Sequence, residues 1–373
     1  MLPSSSDTAA IENATKMQYD KKDLLGKGEY GSVFFGTFND QMVAIKRIKL
    51  AGQTVHPADN ELKALQQLDH SNVVKLLHFE SDKHFKYFVL EFCDASLDKL
   101  FLKSDDRRKY KGPIPLPIKM LLHLASGLAY IHSRDLIHRD IKPENILISV
   151  KRTDQGEQAT FKWGGFGLCQ PVDERGTFTI NEIIGTRFWL APELHEIMIS
   201  NDLDGKPGIL KSDVYAEGLV FGCILLNGIH LYGSDDEIIT NIKQNKPINM
   251  KAIHNLHWAR SLLIQMLTTK PTERIASRYV VTELQSIETQ LGWNALHWVC
   301  SNNSNSNLTK EIELLIRRGI DTNAKSNKGM SALHVLCEYN FSPYLTDAIE
   351  FLSQSGIDGN EKDQKGFNAQ SKN

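Results

Sequence analysis

Three glycines, an amine and a carboxylate supply the first chemistry along the chain. Gly26-Lys-Gly28-Glu-Tyr-Gly31-Ser-Val33 spaces its glycines so that backbone N–H groups can come close to phosphate oxygens. Strand-like stretches flank this loop and no long helix follows it, which disfavours a dinucleotide-binding turn. Alone, the pattern is equally that of a glycine-rich hairpin with no ligand. Val43-Ala44-Ile45-Lys46 then puts an amine on the next strand, and Glu61 follows one helix later, ahead of Leu65, Leu68 and His70. As a surface pair, Lys46 and Glu61 would contribute under about 1 kcal/mol and no function.

The segment Ile137-His138-Arg139-Asp140-Ile-Lys142-Pro-Glu-Asn145-Ile-Leu147 decides between these readings. In order with the glycine loop, Lys46 and Glu61, it resembles the protein kinase pattern, and Ala191-Pro192-Glu193, Asp213 with Gly218, and Arg274 extend the resemblance. The resemblance implies that Lys46 contacts the α- and β-phosphates of ATP and is oriented by Glu61. It further implies that Asp140 accepts or orients the proton of a substrate hydroxyl, that Lys142 contacts the γ-phosphate as in the Ser/Thr class, and that Asn145 holds Mg²⁺. Gly26, Gly28 and Gly31 would cover the phosphates, and Val33, Ala44 and Leu147 would sandwich the adenine ring. Leu90 would be the gatekeeper, with the backbone of Glu91 and Cys93 bonding the adenine edge. His138 reads as a packed residue rather than a base, and Arg274 as the partner of Glu193.

One position departs from that pattern. The D-F-G aspartate should stand at 165, where the sequence runs Trp163-Gly164-Gly165-Phe166-Gly167, and no other acidic residue lies between Ala159 and Pro171. Losing a ligand from an ion that neutralises transition-state charge costs several kcal/mol, and about 4 kcal/mol is already a roughly thousandfold loss in rate. Nucleotide binding suffers less, because the hinge and glycine loop need no metal. The expectation is an ATP-binding serine/threonine kinase acting on a protein substrate with Mg²⁺, weakened by Gly165. The alternatives are a pseudokinase, serving as a nucleotide-binding switch or scaffold, and a damaged product with no role of its own. Thr177, Thr179 and Thr186 are candidate phosphorylation sites, with Arg139 placed to pair the phosphate.

The elements that must position these groups follow the hydrophobic pattern. Asp23 to Lys49 alternates as antiparallel strands, Ala58 to Leu68 has helical spacing with Leu62, Leu65 and Leu68 on one face, and Tyr87 to Cys93 is a buried strand. From Leu97 the pattern is mainly helical, with a loop-rich stretch between Ile137 and Glu193. Strands early and helices late give an α+β arrangement in two lobes. With the resemblance, that is a bilobal protein kinase fold, with a β-rich N-lobe and a helical C-lobe over residues 18–287, behind a polar leader at 1–17.

The remaining residues, 288–373, carry a repeat. Gly292-Trp-Asn-Ala-Leu-His recurs as Gly329-Met-Ser-Ala-Leu-His, Gly366-Phe-Asn-Ala begins a third copy, and Gly319-Ile-Asp321 matches Gly356-Ile-Asp358 at the same offset. The pattern resembles the helical ankyrin repeat. About three repeats are needed to bury such a core, so the segment should lean on the helical lobe or belong to a longer chain. It is expected to bind a protein partner.

Wording such as Val43-Ala-Ile-Lys-Arg-Ile48 and Phe166-Gly-Leu-Cys169 is similar to the unfolded-protein-response kinase/endoribonucleases and RNase L. Those relatives carry a ribonuclease domain after the kinase, where this chain has ankyrin-like sequence, so no nuclease activity is implied. Their activation through kinase dimers implies self-association as a homodimer.

Composition narrows the partners. Over 373 residues, 41% hydrophobic and 24% charged usage excludes a mainly disordered or fibrous chain, and a formal net charge of −2 indicates no nucleic acid and no anionic membrane as an obligatory partner. The best apolar stretch, Gly218 to Ile229, is too short to span a bilayer. The N-terminus lacks a secretory pattern, and five scattered cysteines without a C-x-x-C pair fit a reducing, cytoplasmic setting without zinc.

Overall fold

The structure is a computed structural model that describes residues 17–28, 31–50, 57–154, 156–179, 185–200, 207–253, 257–301, 308–317, 319–340 and 344–369. Residues 1–16 of the expected leader, Glu29 and Tyr30 of the glycine loop, and most of the polar insertion in the first repeat lie outside the described residues, while Met17, the last residue of that leader, already pairs with Phe38 in the first strand. The chain divides into two compact units, residues 1–58 with 75–92, and residues 59–74 with 93–373.

The first unit is one antiparallel sheet. Its strands are β1 (Met17–Gly28), β2 (Gly31–Phe38), β3 (Gln41–Lys49), β4 (Leu76–Ser81) and β5 (Phe85–Glu91), in the order β1-β2-β3-β5-β4. Alternation along β3 buries Val43 and Ile45, which join Phe38 and Val89 in a core lined by Met17, Tyr19, Leu77 and Tyr87. Ala44 and Lys46 take the opposite face of the same strand, Ala44 paired with Leu90 and Lys46 with Phe88. The hydrophobic face thus fixes which way the amine of β3 is offered.

The second unit begins within α1 (Pro57–Gln67) and is mainly helical. Helix α2 (Pro117–Ser133) starts with proline, whose missing N–H costs nothing there, and nine of its residues are buried. Gly127 lets it close on the hairpin of β8 (Ile146–Thr153) and β9 (Gly156–Trp163), since a Cβ there would come within 2.6 Å of the Trp163 ring. This hairpin lies in the stretch expected to be mostly loop. Its apolar runs are short and its tip residues Lys151 to Gln158 are polar, so only the paired register from Ile146↔Trp163 to Thr153↔Gly156 makes it a strand pair. The short strands β6 (Ala95–Ser96), β7 (Leu136–Ile137), β10 (Gln170–Pro171), β11 (Thr177–Thr179) and β12 (Pro207–Ile209) tie down the loops, with β10 pairing β7 and β11 pairing β12.

After α3 (Pro192–Ser200), helix α4 (Lys211–Leu225) runs through the core with every residue from Ser212 to Cys223 buried. A helix buried on all faces has no solvent side for a charge. Glu217 is nonetheless there, fully buried, and neither carboxylate oxygen has a hydrogen-bond partner among the described residues. Burial, helped by the charge of Asp213 one turn earlier, pushes its pKa well above the usual 4.5. Helices α5 (Asp235–Lys243), α6 (Arg260–Met266) and α7 (Ser277–Leu291) complete this helical part. No described helix is long and apolar enough to cross a membrane.

Two helix pairs follow, α8 (Ala295–Cys300) with α9 (Leu308–Arg317) and α10 (Ala332–Tyr339) with α11 (Leu345–Gln354). Asn294 and Ser331 cap α8 and α10 in the same way, each bonded to a histidine three residues on. The ring of His297 then reaches the carbonyl of Met330 at 2.9 Å, and that of His334 the carbonyl of Phe367 at 3.1 Å. Each repeat is therefore clasped to the turn of the next. Of the two expectations from sequence, the contacts bear on the first: Trp258, just before α6, meets Trp298 edge-on at 5.1 Å, and Trp298 meets Trp293 at 4.7 Å. Asn327 adds a bond from its side-chain amide to the Thr289 carbonyl of α7.

Two outcomes follow from this packing. Trp298→Ala should cost about 3–5 kcal/mol in urea unfolding and make the repeats the first segment released by limited proteolysis. Glu217 keeps its proton when folded and gives it up when unfolded, so its contribution to stability is full below about pH 4 and falls as pH rises. The difference between unfolding series of the wild type and Glu217→Gln over about pH 5 to 8 should show that slope, up to about 1.4 kcal/mol per pH unit.

Candidate catalytic site

The core of α4 supplies the anchor. Asp213 is 2% exposed; its Oδ2 accepts the backbone N–H of His138 at 2.7 Å and the ring Nε2–H of His132 at 3.1 Å, and its Oδ1 accepts the backbone N–H of Arg139 at 3.0 Å. Burial alone would raise the Asp213 carboxyl, but the bonds from His132 and His138 outweigh it and hold the pKa below 3.8. Two consecutive N–H groups aimed at one carboxylate fix the turn that carries Asp140, with Arg139 held at a φ of 66°.

His138 is fully buried. Its Nε2 donates to the Gly164 carbonyl at 2.8 Å, its Nδ1 accepts the backbone N–H of Asp140 at 3.3 Å, and its ring packs against Phe166 and Trp163. Both nitrogens are thus used by a neutral ring, and burial lowers its pKa. The packed, non-basic reading of this histidine agrees with that geometry.

Asp140, Lys142, Asn145 and Thr186 form one connected group. Asp140 Oδ1 lies 3.0 Å from Lys142 Nζ and accepts the Thr186 hydroxyl at 3.1 Å; Lys142 Nζ lies 2.7 Å from Thr186 Oγ1. Asn145 donates from Nδ2 to both Asp140 Oδ2 and the Asp140 carbonyl, each at 2.7 Å. Thr186 was read from sequence as a phosphorylation candidate, and its place between amine and carboxylate was missed. The available signal was Gly185 before it, which has a φ of 116° and whose Cβ would come within 2.8 Å of the Arg139 carbonyl.

Gly165 sits beside this group in the left-handed region, at φ 77° and ψ 43°. A side chain there would begin directly against the Asn145 amide. Gly164 carries the Asn145 contact by its N–H, 2.8 Å from the Asn145 carbonyl, and Leu147, half-buried, packs over it. No group of three or more His, Cys, Asp or Glu that could hold a metal occurs among the described residues.

The other candidates fall on both units. In the first, Lys46 and Ala44 lie on β3, Val33 on β2 opposite both Gly26 and Lys46, and Glu91 ends β5 with its carboxylate bonded to the Lys75 N–H at 2.8 Å. A Cβ at Gly26 or Gly28 would meet nothing within 4 Å, whereas one at Gly31 would lie 2.5 Å from the Arg47 carbonyl, so only Gly31 is demanded by the fold itself. In the second, Glu61 is a buried residue of α1 and Cys93 is half-buried. Arg274 holds Glu193 with two bonds, 2.8 and 2.9 Å, and spends its remaining N–H groups on the carbonyls of Lys211, Thr268 and Thr269, as the sequence pairing predicted.

Comparison with known proteins gives the family of the chain. The family described as protein kinase domain matches residues 19–284, and that described as ankyrin repeats, three copies, matches residues 241–363. The serine/threonine-protein kinase/endoribonuclease IRE2 of Homo sapiens is 32% identical over 273 residues, covering 71% of this chain and 28% of that protein. The kinase/endoribonuclease ire-1 of Caenorhabditis elegans is 29% identical over 277 residues, 72% of this chain and 27% of its own. Calcium-dependent protein kinase 5 of Plasmodium berghei is 28% identical over 273 residues, 70% of this chain and 44% of its own. The matched region thus spans between about a quarter and a half of these relatives' lengths, and it is the kinase part they share. With a family match over most of its residues and ankyrin repeats behind it, the chain belongs to the protein kinase family, with relatives among the serine/threonine kinases.

Proposed function

We propose that the chain transfers the γ-phosphate of ATP to a serine or threonine hydroxyl of a protein, slowed by Gly165, and that its ankyrin segment binds a protein partner. The observation that supports turnover most is the joined group Asp140, Lys142 and Thr186. A carboxylate whose Oδ1 is held by an ammonium and a hydroxyl is presented to one substrate hydroxyl in one orientation, which suits it to accept or direct that proton. Lys142 places positive charge where the transferred phosphoryl gains negative charge. Lys46, Glu61, the three loop glycines and the Glu91–Cys93 hinge would bind the nucleotide, with Val33, Ala44 and Leu147 about its ring.

A magnesium ion, when bound with ATP, supplies charge neutralisation at the phosphates. The residues present fit such an ion held mostly by the nucleotide, with Asn145 as the protein donor: its amide nitrogen is committed to Asp140, which leaves the oxygen for a cation. Gly165 offers no oxygen from its side chain. That same residue favours the second reading, a nucleotide-binding scaffold without turnover.

Autophosphorylation and transfer to a general protein acceptor, measured in Mg²⁺ and in Mn²⁺, separate the two. Asp140→Asn should lower the rate by about 10²–10⁴, and a signal it leaves untouched would reject the kinase reading. Thr186→Val should lower kcat about tenfold with little change in KM for ATP, since it loosens Asp140 and Lys142 rather than the hinge. Gly165→Asp should raise the rate by about 10²–10³; aspartate tolerates the left-handed backbone, and the Asn145 amide nearest its Cβ must shift to admit it. Stabilisation by ATP without metal, joined to no transfer in any variant, would establish the scaffold.

A further inference from the structure

Arg139 is where a phosphate on the activation segment was expected to be paired, but the strand that should bring that phosphate turns the wrong face toward it. Thr177 and Thr179 flank Phe178 in β11, and successive side chains of a strand point to opposite sides. Phe178 is 8% exposed and packs with Ile137 and Ile197, against Val172, Leu194 and Leu210. The Arg139 guanidinium stands over its ring, 5.5 Å from the centroid, while its Nε donates to the Leu168 carbonyl at 2.6 Å. Thr177 and Thr179 lie on the other side of the strand.

The threonines are engaged elsewhere. The Thr177 hydroxyl and N–H both donate to Asp173, each at 2.7 Å, so a phosphate at that hydroxyl would meet a carboxylate. Thr186 already bridges Lys142 and Asp140, and a phosphate there would face Asp140. Thr179 is exposed and pairs through its backbone with Pro207. β12 is shaped to the ring as well: a Cβ at Gly208 would run into the far edge of Phe178.

We infer that Phe178 takes the part of an activation phosphate, its ring seating Arg139 and pinning β11 against β12, so that the activation segment stands in its paired arrangement with every threonine unmodified. An apolar ring under a guanidinium gives a weaker attraction than a phosphate, but it needs no modifying enzyme and is reinforced by the burial of its other face. Phe178 is therefore a positioning residue for Arg139 and, through the shared turn, for Asp140. The inference depends on the kinase fold and not on turnover, so a protein without activity would still answer.

The test is amide hydrogen exchange on the full chain after phosphatase treatment, with removal of phosphate checked by intact mass. The amides of residues 177–179, 208 and 209 should stay as protected as before treatment. Phe178→Ala and Gly208→Ala, which remove the ring or crowd it, should each speed exchange there about tenfold while amides within α4 stay protected. Phe178→Leu keeps apolar bulk but no ring face, and should leave β11 partly protected while the turn at 138–140 exchanges faster, a separation that bulk packing alone would not produce. Loosening of the untreated segment by phosphatase alone, or wild-type protection in Phe178→Ala, would overturn the inference. Should Phe178→Ala expose α4 too, the Phe178→Leu comparison decides, and wild-type exchange at 138–140 in that variant would overturn it.

Discussion

Everything chemical in the second unit hangs on the carboxylate of Asp213. A charged group at the centre of a fully buried helix is costly unless its lone pairs are filled, and here they are filled by the backbone N–H groups of His138 and Arg139 and the ring of His132. The arrangement works in both directions. The helix tolerates its charge because the catalytic turn supplies donors, and the turn tolerates a left-handed Arg139 because the helix supplies the acceptor. Glu217, one turn along the same helix, shows the contrast: with no hydrogen-bond donor to either oxygen among the described residues, burial favours its neutral state.

From that anchor the site divides into a complete half and a thinned half. The half proposed to handle the proton is complete, since Asp140, Lys142, Thr186 and Asn145 form a connected set of short contacts that restrain one another. The half proposed to handle the metal is thinned at Gly165, whose left-handed backbone has no carboxylate to offer. Under the proposed function, rate and affinity should therefore respond differently to loss at this one position, because the nucleotide's contacts with the hinge and loop would be made by other groups.

The fold class could be read from residue order, and the resemblance to the protein kinase pattern pointed to the segments whose side chains the structure joins around Asp140. The His138–Asn145 segment has fixed internal distances because it is one turn, so its spelling is its geometry. Arg274 and Glu193 were matched through the resemblance, and the structure supplies the physical reason, a buried arginine with a bidentate acceptor. Less legible were features set by contacts between distant segments. The β8–β9 hairpin depends on register rather than on apolar content, and the role of Thr186 depends on a fold-back of 46 residues onto Asp140. Phe178 was passed over for its threonine neighbours because hydroxyls advertise modification in a sequence, while strand alternation, which decides the matter, needs the strand to be known first.

The clasp that joins each repeat to the next gives the stack a direction of assembly. His297 closes on a turn that lies 33 residues further on, and His334 does the same, whereas the Trp258–Trp298 contact looks back to a part of the chain already made. During synthesis the helical lobe is available before Trp298 emerges, and it offers a hydrophobic template on which the first helix pair can settle before its own successor exists. The kinase part thus serves its neighbour as a folding platform, and damage to the lobe would be felt in the repeats even if every residue of the repeats were sound.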